Sequence, residues 1–172
     1  MALEIERRFL VAGDGWRPHV RWSQHLCQGY LAASAEALTL RVRTAGTEQA
    51  WLTLKLPAGG IARHEFEYAI PLADAQALLQ HSGEQLAKQR HGLDLPGGDW
   101  VLDVFVGANA PLVIAEVELA TADQSVAVPS WCVQELTGLG GFSNAALARS
   151  PFASWPPQER EPWLQHLCCV SD

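Results

Sequence analysis

Apolar and charged positions alternate along this chain with a period of two, and the pattern recurs. Residues 4–10 read Glu-Ile-Glu-Arg-Arg-Phe-Leu, which on a strand sets Glu4, Glu6 and Arg8 on one face and Ile5, Arg7 and Phe9 on the other. Residues 38–44 set Leu40 and Val42 against Thr39, Arg41 and Arg43. Residues 51–56 set Leu52, Leu54 and Leu56 against Trp51, Thr53 and Lys55, and residues 63–70 set His64, Phe66 and Tyr68 against Arg63, Glu65 and Glu67. Further on, residues 86–93 align Lys88 with Arg90, and residues 100–106 align Val101, Asp103 and Phe105. Residues 112–119 oppose Val113, Ala115 and Val117 to Glu116 and Glu118. Residues 24–32, which contain Tyr30, and residues 131–137 complete the predicted strands.

Turn formers separate these segments: a turn at 33–36, Gly46, the run from Pro57 to Gly60, and Pro96-Gly97-Gly98-Asp99. Residues 73–79 lose the alternation and carry helix formers without β-branching, which predicts a short helix. A second helix is predicted at 143–149, capped by Ser143 or Asn144. The tail, residues 150–172, holds four prolines and two tryptophans and reads as a short helix over the domain or a loose end. Hairpin-connected strands with sparse helix predict an antiparallel barrel or sandwich.

The charges on the alternating faces balance. Glu4, Glu6, Glu65, Glu67, Asp103, Glu116 and Glu118 stand against Arg8, Arg41, Arg43, Lys55, Arg63, Lys88 and Arg90, seven of each sign. The chain has 12 bases and 19 acids, so its net charge of −7 lies entirely outside this set. The opposing apolar residues, Leu40, Val42, Leu52, Leu54, Leu56, Phe66, Val113, Ala115 and Val117, are expected to be buried. In a sandwich they form the core and the charges meet water; in a closed barrel they pack outward and the charges line the lumen. Charged residues avoid strands by propensity, yet Glu-x-Glu occurs at 4/6, 65/67 and 116/118. Side-by-side carboxylates suit a hard divalent cation such as Mg²⁺ or Mn²⁺, and clustered Arg and Lys suit phosphate oxygens.

In order and strand parity, the quoted segments resemble the CYTH-domain proteins of the triphosphate tunnel metalloenzyme group. The resemblance rests on Glu4-Ile5-Glu6-Arg7-Arg8, matching Glu-x-Glu-x-Lys, then Gln28-Gly29-Tyr30-Leu31, Arg41-Val42-Arg43 and Leu52-Thr53-Leu54-Lys55. It continues through Arg63-His64-Glu65-Phe66-Glu67-Tyr68, Lys88-Gln89-Arg90, Asp103-Val104-Phe105, Ala115-Glu116-Val117-Glu118-Leu119 and Phe142-Ser143-Asn144. It spans residues 1–149 and leaves 150–172 as a tail packing on or near the domain.

The resemblance implies an eight-stranded antiparallel β-barrel tunnel with a few peripheral helices. It also implies metal-dependent hydrolysis of triphosphate compounds, with inorganic tripolyphosphate giving pyrophosphate and phosphate by in-line attack of water. Arg8, Arg41, Arg43, Lys55, Arg63, Lys88 and Arg90 would hold the substrate. Glu4, Glu6, Glu116 and Glu118 would hold Mg²⁺ or Mn²⁺, assisted by Asp103 and by Glu65 or Glu67. The motif lysine is here Arg8, which cannot give up a proton, so another group must act as base. Lys55, Lys88, Tyr30 or an acidic residue would serve, and Lys55 ranks first on the ground that nearby Arg41 and Arg43 favour loss of its proton. Glu135-Leu136-Thr137-Gly138 lacks an acidic residue expected soon after the threonine.

Alternative substrates on the same fold are organic triphosphates, as in an adenylate cyclase, thiamine triphosphatase or nucleoside triphosphatase. Thr39 offers no stacking surface for an organic group, which favours the inorganic substrate. A non-catalytic polyphosphate-binding module is the remaining alternative. Trp51 is read as structural rather than as a stacking platform, and the histidines as structural or exposed. The acidic balance, with pI near 5.3, argues against nucleic acid and anionic membrane surfaces as partners. No membrane span or signal peptide is read, and Cys27, Cys132, Cys168 and Cys169 lack zinc spacing. A cytoplasmic protein with reduced thiols is the expectation, and a homodimer is compatible with it.

Overall fold

The structure, a computed structural model, describes residues 2–33 and 38–168, so most of the turn expected at 33–36 lies outside the described residues. Among the described residues nine strands form: β1 (Ala2–Val11), β2 (Val20–Ala33), β3 (Thr39–Ala45), β4 (Gln49–Pro57), β5 (Ala62–Ala69), β6 (Glu84–Leu93), β7 (Asp99–Phe105), β8 (Val113–Glu118) and β9 (Cys132–Glu135). The order is β5-β4-β3-β2-β6-β7-β8-β1, and β1 pairs back to β5, so eight antiparallel strands close on themselves. Closure removes the open edges that a sandwich must protect. Residues 2–5 of β1 pair with β5; farther along, Phe9 to Val11 pair with β9.

The apolar face points outward, and it is buried by what packs on it. Helix α1 (Leu72–His81), opened by Pro71 with Asp74 in its first turn, lays Ala75 against Val42 and Ala50 of β3 and β4. On the opposite wall Ile5, Phe9, Leu102, Ala115 and Val117 pack under Trp16, Trp100 and Trp131. Burial is incomplete on the β3–β5 wall: Leu56, next to the end of β4, is 39% exposed, against the sequence expectation.

A third core lies inside the barrel. Leu10, Tyr30, Leu86, Phe105 and Ile114 share the parity of the charged residues but fall at one end of β1, β2, β6, β7 and β8. Phe142, helix α2 (Asn144–Arg149) and the tail plug that end. The cap of α2 is Ser143, whose hydroxyl accepts from the Ala146 amide. The tail folds as α3 (Pro157–Cys168), and Phe152, Trp155 and Trp163 join the plug, with both tryptophans edge-on to Phe142. Asn109 ties the tail down, donating to the Leu147 carbonyl and accepting from the Phe152 amide.

Candidate active site

Register brings the charged faces of all the barrel strands together. On the cross-strand rungs Glu4 meets Arg63, Arg8 meets Glu116, Arg90 meets Asp103, Tyr30 meets Arg41, and Lys55 meets Glu65. These side chains face the lumen, where a cavity of about 680 Å³ is bordered by Glu6, Arg8, Tyr30, Arg41, Lys55 and Arg63. The β4–β5 hairpin forms its rim, turning through Gly59 and Gly60, both at positive φ. Glu118 shares the luminal parity but is exposed at the far end of β8.

The luminal charges are engaged with one another. Arg41 and Arg43 share one carboxylate, Glu67, at 3.4 and 3.1 Å. Thr53 holds that carboxylate at 2.7 Å and accepts from Arg41. Two guanidiniums on one carboxylate leave this corner with more positive charge than it neutralises, and burial with the neighbouring Arg41 lowers the pKa of Arg43 to about 10. The Nε atoms of Arg41 and Arg43 are buried without an acceptor. Buried donors of this kind fit an anion with several oxygens. Trp51 lies under Arg43, its ring centre 5.2 Å from the guanidinium carbon.

Lys55 donates to Glu4 at 2.5 and 2.7 Å and lies 2.7 Å from Glu65. Its immediate partners are therefore acids, whereas the sequence argument had placed Arg41 and Arg43 beside it. Burial raises the pKa of Glu4 despite Lys55. Burial also pushes Glu65 up, but Lys55 outweighs it and the net shift is downward. Burial, Glu116 and Glu4 push Glu6 up to about 7; the cation facing it is Arg8, at 3.7 Å. Glu4, Glu6 and Glu116 thus form a crowded acidic patch that is only partly compensated.

Deeper in the barrel, Asp103 is fully buried and receives three charged hydrogen bonds: from Lys88 at 2.6 Å, and from Arg90 Nε and Nη2 at 2.7 Å each. Those bonds hold its carboxyl well below the usual range although burial opposes them. Burial brings Lys88 down to about 8 against the pull of Asp103, and Lys88 also donates to Asn144 at 2.9 Å. Arg90 bridges onward to Glu116 at 2.7 Å. Burial pushes Tyr30 up to about 12, so it retains its proton.

A profile of the CYTH domain matches residues 2–150. The chain belongs to the CYTH family. Among CYTH relatives, an inorganic triphosphatase of Acetivibrio thermocellus is 32% identical over 157 residues, 90% of this chain and 99% of that protein. An inorganic triphosphatase of Nitrosomonas europaea is 39% identical over 153 residues, 86% of this chain and 97% of that protein. A crystal structure of an inorganic triphosphatase superposes with a TM-score of 0.61 at 34% identity, covering 89% of this chain and 99% of the other.

Within this CYTH barrel, sequence reasoning passed over Gln28, Thr53 and Asn144 as site residues. All three carry neutral side chains, so neither charge nor parity distinguished them from other strand and cap positions. Among the described residues, no three His, Cys, Asp or Glu side chains converge as a ready metal cage. The donor set nevertheless suits a hard divalent ion, since Glu4, Glu6 and Glu116 are oxygen ligands and, after burial, Glu116 and Glu4 raise the proton affinity of Glu6. Asp103 fits less well, because Lys88 and Arg90 already occupy both its oxygens. No helix among the described residues is long and apolar enough to cross a membrane.

Proposed function

We propose that this CYTH protein hydrolyses inorganic tripolyphosphate to pyrophosphate and phosphate with Mg²⁺ or Mn²⁺. The observation that carries the reading is the pair of buried Arg41 and Arg43 Nε donors with no acceptor, set in a lumen where bases face a crowded acidic patch. A chain of phosphates supplies acceptor oxygens for Arg41 and for Arg8, Lys55 and Arg63, which border the cavity with it.

In this reading Arg41 and Arg43 bind non-bridging oxygens at one end of the substrate, and Arg8, Arg63, Lys55 and Arg90 bind farther along the lumen. Glu4, Glu6 and Glu116 would hold the metal, with Glu65, Glu67 and Glu118 next in line. Bound there, the ion would polarise the phosphoryl oxygens and offset charge on the leaving pyrophosphate. Anchoring both ends of the chain orients the terminal phosphorus for in-line attack by water, and positioning with charge neutralisation supplies most of the rate.

Lys88 contributes from beneath. It is 1% exposed and bonded to Asp103 and Asn144, so it holds Arg90 in place through Asp103. Tyr30 acts as a hydrogen-bond donor toward substrate, because its proton is strongly held. Lys55 acts as a mobile counter-ion that exchanges Glu4 for a phosphate oxygen. Arg8, in place of the motif lysine, binds and does not transfer protons.

The test is phosphate release from tripolyphosphate in Mg²⁺, Mn²⁺ and EDTA, with ATP and pyrophosphate alongside. We expect release from tripolyphosphate with metal, little from ATP, and none in EDTA. Tight binding without turnover on any substrate would make the protein a binding module instead.

A further inference from the structure

We infer that Gln28 is a positioning residue that fixes the Tyr30 hydroxyl as a hydrogen-bond donor into the phosphate cavity. The inference rests on the proposed triphosphatase reading and names a residue within that same site.

Four observations meet here. Gln28 is fully buried on the luminal face of β2, and its Nε2 donates to Tyr30 Oη at 2.8 Å. Arg41 is the cross-strand partner of Tyr30, and its guanidinium acts on the same oxygen, opposing the rise that burial imposes on the phenol. With Gln28 on one lone pair and Arg41 beside the other, the hydroxyl proton is directed away from both. Among the described residues the hydroxyl donates to no protein acceptor, and Tyr30 borders the cavity.

The backbone is shaped to hold this aim. The β2–β3 register shifts between Tyr30 and Ala32, a bulge of the kind that re-aims a side chain next to a site. Gly29, between the two residues, packs so tightly on the cap of α1 that a Cβ there would fall 2.1 Å from Ser82 Oγ. The strand cannot retreat or slide without losing that contact. Gln28 itself is not free to turn to solvent, and its Oε1 is buried without a partner.

The chemistry is a specificity device. A phosphate oxygen accepts from Tyr30, whereas a phenol held with its proton turned inward would offer only lone pairs to a polyanion. Gln28 selects the first state.

The experiment uses the full chain labelled with 3-fluorotyrosine. The sequence contains two tyrosines, and Tyr68 is 57% exposed, so the buried ¹⁹F resonance is that of Tyr30. Adding tripolyphosphate in EDTA should shift the Tyr30 resonance in the wild type, and at most half as far in Gln28→Leu. Gln28→Glu, which offers acceptors only and keeps the side-chain size, should behave like Gln28→Leu. In turnover, Gln28→Leu and Tyr30→Phe should each lower kcat about tenfold, the worth of one hydrogen bond to a charged oxygen. KM should change less than about threefold, and the double variant should be no slower than the slower single one.

Additive losses, or a Tyr30 resonance that moves alike in wild type and Gln28→Leu, would overturn the assignment. So would a wild-type resonance that ignores tripolyphosphate. Absence of turnover in the wild type would count against the triphosphatase reading alone. The ¹⁹F response to bound tripolyphosphate would still decide the role of Gln28.

Discussion

Asp103 is the residue whose loss the lumen should tolerate least, and the reason can be put in numbers. It is fully buried and takes three charge-assisted bonds of 2.6–2.7 Å from Lys88 and Arg90. Asp103→Asn keeps the volume but removes the charge, leaving Lys88, 1% exposed, without its counter-ion. Breaking a buried pair by removing one partner costs about 3–5 kcal/mol. For a chain of this size that corresponds to a fall in Tm of roughly 6–20 °C. Lys88→Met should cost less, because Arg90 still grips Asp103 through two bonds.

The pH dependence separates the partners. The folded pKa of Lys88 is about 8, below its ordinary 10.5. Between those values the unfolded chain holds a proton that the folded chain lacks, so the lysine makes stability rise as pH climbs from about 8 to 10.5. That gain is at most roughly 3 kcal/mol and should be missing from Lys88→Met. Urea unfolding of the wild type and both variants at pH 7 and across pH 8–10 measures all of this. A loss under about 1 kcal/mol in Asp103→Asn, or a larger loss in Lys88→Met, would show that Asp103 does not anchor this buried network.

Glu4→Gln and Glu116→Gln should each lower metal-dependent phosphate release at least about a hundredfold while the melting transition stays cooperative; near wild-type rates would remove them from the metal site. On the proposed reading Lys55 and Arg90 exchange Glu4 and Glu116 for phosphate oxygens, so Mn²⁺ and a non-hydrolysable tripolyphosphate analogue should each raise the other's affinity about tenfold or more, by the same factor in calorimetry. Independent binding would show that the ion pairs do not exchange partners. Phe152→Ala should cost about 3–5 kcal/mol in urea melts, since its ring is buried in the plug; a loss below about 1 kcal/mol would make the tail peripheral.

The period-two pattern was enough to locate the strands and to say which residues share a face. The faces of Glu4 to Arg8, Arg41 to Arg43 and Glu116 to Glu118 are those the alternation predicts, because side-chain direction in a strand follows from backbone geometry alone. The count of seven acids and seven bases was likewise legible. Alternation does not say which face is inside. Both a sandwich and a barrel bury the apolar side on something, and only the pairing of β1 with β5 turned the charged side inward.

Depth and partnership were also settled in three dimensions. Leu10, Tyr30, Leu86, Phe105 and Ile114 have the parity of the charges yet plug the barrel, because parity fixes a face and not a height along the axis. Lys55 was expected under the influence of Arg41 and Arg43; register set Glu65 directly opposite, and closure brought Glu4 to its ammonium. Sequence by itself determined the local conformation and the inventory of charge. Cross-strand register and closure of the sheet decided which charges meet, since those contacts join residues 51 positions apart in the chain and have no trace in local order.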